Sequence, residues 1–165
     1  MNRRAFLLSG ATAIFGATTY GLLGGSGSNA SETGAFPLQL SDDAWRERLS
    51  DMQFSVLRDH GTERAHSSPL NNEKREGTFH CAGCEQALYS SKTKYDSGTG
   101  WPSFYEALSD AVGTSQDKSF FMTRTEVHCS RCGGHLGHIF NDGPQPTGKR
   151  HCINGVAMTF HTKNA

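Results

Sequence analysis

Apolar positions along the chain fall into three regimes. Residues 5–23 hold a weakly apolar run diluted with Gly and Thr. A second segment then places apolar side chains at helical spacing. Ser41 before Asp42-Asp43, with Ala44, Trp45 and Leu49 following, predicts an N-capped helix with acids in its first turn. Ser50-Asp51-Met52-Gln53 has capping-box spacing, Phe54 and Leu57 follow, and Gly61 is the expected C-terminal stop. Beyond it the apolar residues come in short runs broken by Gly and Pro. They are Phe79, Leu88-Tyr89, Phe120-Phe121-Met122, Val127, Ile139-Phe140 and Val156-Ala157-Met158-Thr159-Phe160. Such runs predict strands. The pattern therefore reads as one β-rich α+β domain with a short helix pair at its N-terminal end, and with no repeat beyond two cysteine pairs.

The first regime has a different reading. Met1-Asn2-Arg3-Arg4-Ala5-Phe6-Leu7-Leu8 is a charged start followed by an apolar stretch, and Arg3-Arg4-x-Phe6-Leu7 matches a twin-arginine export signal. Ser28-Asn29-Ala30 offers a small-x-small cleavage site, and the alternative is an uncleaved membrane anchor. The expected organisation is a leader over 1–30, a small polar linker over 31–40 and a domain over 41–165. Export by this route, to the periplasm, carries a protein across already folded. Lys plus Arg and Asp plus Glu are equal at 16 each, which removes the electrostatic case for nucleic acid as a partner.

Four of the five cysteines come in two C-x-x-C pairs, Cys81-Ala82-Gly83-Cys84 and Cys129-Ser130-Arg131-Cys132. Each such turn brings two thiolates to tetrahedral spacing, and two turns complete a closed four-cysteine shell for one structural Zn2+. Gly133-Gly134 relaxes the backbone after the second pair. The competing readings are a thioredoxin-like redox pair, which lacks a βαβ context, and two disulfides, which an exported protein can form.

The fifth, Cys152, sits in Lys149-Arg150-His151-Cys152-Ile153-Asn154. In an extended segment Arg150, Cys152 and Asn154 share one face, and His151 and Ile153 the other. A guanidinium beside a thiol favours the nucleophilic thiolate. Local sequence leaves two readings open, a nucleophile and a buried structural cysteine. His135 and His138, just after the second cysteine pair, are candidate general acids, against metal ligation or plain solvation. Trp101, between Gly100 and Pro102, is either a rigid apolar wall or core.

Taken together, these residues resemble the B-type methionine sulfoxide reductases over about residues 41–160. The shared motifs are Trp45-Arg46-x-Arg48-Leu49, Gly61-Thr62-Glu63-Arg64-Ala65, Cys81-x-x-Cys84 and Gly98-x-Gly100-Trp101-Pro102-Ser103-Phe104. They continue through Cys129-x-x-Cys132-Gly133-Gly134-His135-Leu136-Gly137-His138-Ile139-Phe140, Asp142-Gly143-Pro144, Pro146-Thr147-Gly148 and Arg150-x-Cys152-Ile153-Asn154. The resemblance implies two antiparallel sheets around a β-barrel-like core, with zinc away from the active site. It implies reduction of methionine-R-sulfoxide in oxidised peptides and proteins, with Cys152 as nucleophile and a sulfenic acid intermediate. His135 and His138 are then expected to position and protonate the sulfoxide oxygen. Arg150, Asp142 and Asn154 organise the polar side, and Trp101 receives the substrate methyl.

The chain departs from that family at Thr99, where many members carry a resolving cysteine. With the other four cysteines committed to zinc, the expected reductant is external, a thioredoxin-like protein or a small thiol. His151 stands in place of a common Tyr or Phe, and Gly155 in place of a common Ser. The expected state is a monomer. Rival functions are a zinc-ribbon-type binding module, which needs neither Cys152 nor the histidines, and a thiol peroxidase, which does not need the Trp101 wall.

Overall fold

A computed structural model of the protein describes residues 36–119 and 122–163, all within one compact unit that begins at Thr33. The expected leader, half of the expected linker, Phe120 and Phe121, and the last two residues lie outside the described residues.

The chain opens with two short helices, α1 (Asp42–Arg48) and α2 (Asp51–Leu57). Ser41 caps α1 by accepting from the Ala44 N–H, and Ser50 and Gln53 close a reciprocal capping box on α2. Helix α2 ends at Leu57 with Arg58 as its C-cap, three positions before the expected stop at Gly61. His60, at φ 55°, takes the left-handed position, and the Gly61 N–H returns to the Ser55 carbonyl at 2.8 Å. The bond spans one residue more than the 6→1 bond of a Schellman motif, so the chain leaves α2 by a wider turn with His60 in the left-handed place usual for glycine.

Nine strands follow: β1 (Gly77–Cys81), β2 (Ala87–Ser90), β3 (Lys94–Tyr95), β4 (Ser103–Phe104), β5 (Val112–Asp117), β6 (Arg124–Cys129), β7 (His135–Phe140), β8 (Arg150–Ile153) and β9 (Met158–Thr162). They form two open antiparallel sheets, ordered β2-β1-β9 and β3-β4-β8-β7-β6-β5. Among the described residues these ladders close no barrel. Aromatic side chains join the sheets. Phe104 of the large sheet stacks on Tyr89 at 4.3 Å and meets Phe79 edge-on at 5.0 Å, both from the small sheet.

One run read as a strand is so only in part: Val156 and Ala157 belong to a 3-10 turn (Gly155–Ala157), and Met158-Thr159-Phe160 lie on β9. Met122, the described residue of another such run, is 54% exposed between β5 and β6. Strand β5, absent from the sequence reading, is an edge strand whose middle residues face solvent, so it carries no apolar alternation.

The helices dock on the cysteine pairs through arginine. Arg48 donates to the Gly83 carbonyl at 3.2 Å and Arg58 to the Cys132 carbonyl at 3.0 Å, while Arg131 donates to the Cys84 carbonyl at 3.1 Å. Arg58 also lies 5.0 Å from the ring of buried Trp45. Gly133 closes the second turn at φ 68°, and a Cβ there would meet the Phe36 ring at 2.3 Å. A Gly133→Ala variant is therefore expected to lose about 1–2 kcal/mol for the left-handed backbone alone, plus the displacement of Phe36. A thermal melt followed by circular dichroism checks this, and an unchanged midpoint counts against the packing described.

Candidate active site

The four paired cysteines converge first. Cys81 and Cys84 flank the turn leaving β1, Cys129 ends β6, and Cys132 lies on the turn into β7. All four are buried, carry free thiols, and place their sulfurs within 4.8 Å of one another. Cys81 and Cys132 are 3.7 Å apart and Cys84 and Cys129 3.5 Å apart. Disulfide sulfurs sit about 2.05 Å apart. A tetrahedron with Zn–S bonds of about 2.3 Å has edges of about 3.8 Å. The spacing thus matches a shared metal and not a pair of bridges.

Cys152 stands apart, half-buried on β8. Its Cα faces Ser103 on β4 and His138 on β7. Alternation along β8 holds: His151 turns into the core, where Nδ1 meets the Tyr89 hydroxyl at 3.1 Å, and Ile153 is fully buried. Burial pushes the His151 imidazole down to about 4, so this ring is neutral and directed away from the thiol. Strand β7 passes so close that a Cβ on Gly137 would lie 2.0 Å from the Cys152 carbonyl oxygen. Only glycine permits that approach.

Cys152 opens on a cavity of about 170 Å3. Trp101 and Phe140 supply its apolar side, and His138, Arg124, Thr62 and Asn154 its polar side. Trp101 is held by its Nε1–H, which donates to the Glu63 carbonyl at 3.1 Å. Glu63 is itself buried, with its carboxylate accepting from the Gly155 N–H and from the Val156 N–H at 3.0 Å. Asn154 spans the same region: its Oδ1 accepts from the Glu63 N–H and its Nδ2 donates to the Leu136 carbonyl, each at 3.0 Å. The amide expected to hold a thiolate or a substrate oxygen is thus engaged with backbone, and Asn154 acts as a bridge that shapes the cavity.

Arg150 and Asp142 are not among the residues lining this cavity. The guanidinium binds Asp142 through two 2.9 Å hydrogen bonds and lies 4.3 Å over the Phe140 ring. The pair holds the Asp142 carboxyl below its usual range. It also changes the expectation for the thiol. Burial pushes the Cys152 pKa up, and the opposing contacts from Thr99, whose hydroxyl lies 3.9 Å from Sγ, and from Arg150 do not offset it. Much of the Arg150 charge is already answered by Asp142, so the resting residue is a thiol.

The histidines sit in a carboxylate network that sequence reading did not find. His138 Nε2 is 2.7 Å from Asp117, which also accepts from Arg124 at 2.6 Å. His135 Nδ1 is 2.8 Å from Glu126, which further accepts from Ser115 and faces His60 at 3.3 Å and His128 at 3.5 Å. Burial works against the Glu126 charge, but its hydrogen bonds with His128, His135, His60 and Ser115 hold it well below the usual range. His138 moves the other way: burial lowers its pKa despite Asp117. A neutral His138 donates Nε2–H to Asp117 and keeps Nδ1 as an acceptor. In the resting state it is therefore placed to receive a proton, and is not a ready acid. His135 does not line the Cys152 cavity. It borders an adjoining depression with His60, Glu126 and Asp117.

Residues 49–162 match the SelR domain. The chain is 53% identical over 127 residues to the peptide methionine sulfoxide reductase MsrB of Methanosarcina barkeri, covering 76% of this chain and 89% of that protein. It is 49% identical to the protein of the same name from Leptospira interrogans, over 76% of this chain and 96% of the relative. It is also 50% identical to that of Agrobacterium fabrum, over 73% and 90%.

The electrostatics give a pH expectation. Because burial raises the Cys152 pKa, thiolate is scarce near neutral pH and appears only as pH climbs through that value. Alkylation of Cys152 by iodoacetamide in the native protein should rise with a midpoint above the unperturbed value of about 8.5. A midpoint at or below neutrality would overturn the resting-thiol assignment.

Proposed function

The chain belongs to the SelR-domain family of peptide methionine sulfoxide reductases, and on that premise we propose that the Cys152 cavity receives the methyl sulfoxide end of an oxidised methionine side chain. The protein reduces methionine-R-sulfoxide to methionine. The observation that carries the assignment of the site is the position of Cys152. It is the cysteine outside the thiol quartet, and it opens on a cavity with one apolar and one polar side.

The substrate methyl packs on Trp101, which its bond to Glu63 keeps from turning. The sulfoxide oxygen faces His138 and Arg124. The opposite epimer would exchange methyl and oxygen, setting the sulfoxide oxygen on the indole with no donor to meet it. Such unpaired polar groups are what makes discrimination steep.

The raised thiol pKa suits the reaction. Sγ attacks the sulfoxide sulfur while its proton passes, by way of His138, to the sulfoxide oxygen. The hydroxyl of the resulting S–S-bonded adduct then moves to Sγ as the substrate S–O bond and the transient S–S bond both break, so methionine leaves reduced and Cys152 carries the oxygen as a sulfenic acid. Asp117 holds the His138 ring and balances its transient charge. One external thiol then condenses with the sulfenic acid, releasing water and forming a mixed disulfide. A second thiol frees Cys152. Thr99 offers a hydroxyl and no sulfur, so a thioredoxin-like protein or a small thiol supplies both electrons.

Cys81, Cys84, Cys129 and Cys132 would hold one Zn2+, which supplies a structural cross-link with no open position for water. The leader would export the folded, zinc-loaded chain to the periplasm by the twin-arginine route, where it acts as a monomer on oxidised proteins.

Separate R and S epimers of an N-capped methionine sulfoxide, offered with dithiothreitol, test this reading. The R epimer alone should be consumed, and Cys152→Ser should abolish turnover with zinc still bound. Equal use of both epimers, or turnover retained by the variant, would refute the placement of the substrate.

A further inference from the structure

A second cluster of metal-ligating side chains lies on the small sheet and plays no part in the chemistry at Cys152. We propose that His80, Glu85 and His161 form an exterior site for a divalent transition-metal ion of the zinc and copper class, distinct from the cysteine quartet.

The strand register brings the histidines together. On the antiparallel β1–β9 pair, Thr78 faces His161 and His80 faces Thr159, so the two imidazoles are diagonal neighbours on one face. Their rings stack with centroids 4.3 Å apart and planes 18° from parallel. Cys81, next along β1, turns to the opposite, buried face, so the ring pair and the thiol quartet are on different sides of the strand.

The carboxylate comes from the turn. Glu85 holds a left-handed backbone at φ 60°, fixed by its N–H to the Cys81 carbonyl at 2.8 Å. That conformation brings its Oε2 to 3.5 Å from His161 Nε2. One ligand atom from each of the three residues then lies within 4.8 Å of the others. An ion with bonds of about 2.0–2.2 Å needs somewhat closer spacing. His161 and Glu85, with side chains 50% and 61% exposed, have room to rotate into it.

The tautomer of His80 already suits a ligand. Its Nδ1 is 3.0 Å from the Glu85 carbonyl oxygen, which can only accept, so Nδ1 carries the hydrogen and Nε2 keeps its lone pair. Metal-binding histidines usually anchor their second nitrogen in this way. Two imidazoles and one carboxylate are a borderline donor set, suited to Zn2+ or Cu2+ rather than to Mg2+ or Ca2+. An ion held there ties β9 to the first cysteine turn.

Calorimetric titration of Zn2+ into the zinc-loaded chain carrying Cys152→Ser, which removes the competing thiol, tests the site. One further ion should bind and raise the melting temperature. His161→Gln should weaken that binding about ten-fold or more, as should Glu85→Gln. The double variant His80→Gln/His161→Gln should lose both the binding and the rise in melting temperature. His60→Gln should change neither, which separates this site from the His60–Glu126–His135 cluster. No further ion, an ion retained by the double variant, or an ion lost in His60→Gln would overturn the proposal.

Discussion

The convergence of four thiols from two hairpins is the constraint on which the rest of this structure depends. One pair belongs to the turn between β1 and β2 of the small sheet, the other to the turn between β6 and β7 of the large sheet. Holding both within 4.8 Å fixes where β7 starts and how the sheets meet. Strand β7 carries His135 and His138 and pairs directly with the strand that carries Cys152. The helix arginines complete the arrangement by taking the turn carbonyls as acceptors. A small domain with a modest apolar core gains from such a staple, since binding free energies at structural zinc sites are on the order of 10–16 kcal/mol.

Around Cys152, order is imposed by carboxylates, buried at Glu63 and Glu126, partly covered at Asp117 and exposed at Asp142. Glu63 holds the Trp101 side through its carbonyl and the 3-10 turn after Cys152 through its carboxylate. Glu126 gathers three histidines and a serine, and Asp117 sets the His138 ring. Asp142 occupies the guanidinium of Arg150. Each acid is answered by donors, as a buried charge requires. These bonds fix the side chains around Cys152 before any ligand arrives.

What was legible in the sequence was local. The capping serines, the C-x-x-C turns and the alternation of Arg150 to Ile153 depend on neighbours a few residues away, and the structure keeps them. What was not legible depends on register. Glu126 is next to Val127 in a segment expected as a strand, and only the β6–β7 pairing turns it toward His135. Strand β5 carries Asp117 on an edge with almost no apolar signal. The help that Arg150 gives a Cys152 thiolate meets an opposing effect of the same kind. Arg150 is near, but its partner Asp142 and the depth of the pocket outweigh it. The family resemblance named the residues and could not say which of them touch the cavity.

A single turnover without reductant interrogates the chemistry most directly. The native chain is mixed with an excess of N-capped methionine-R-sulfoxide, quenched with dimedone and read by mass spectrometry. The structure predicts one methionine released per chain and one dimedone adduct, on Cys152, with the four remaining cysteines unmodified. A disulfide between Cys152 and any of Cys81, Cys84, Cys129 or Cys132 would mean that the quartet is a redox partner, and the separation of structural from reacting sulfur would fail.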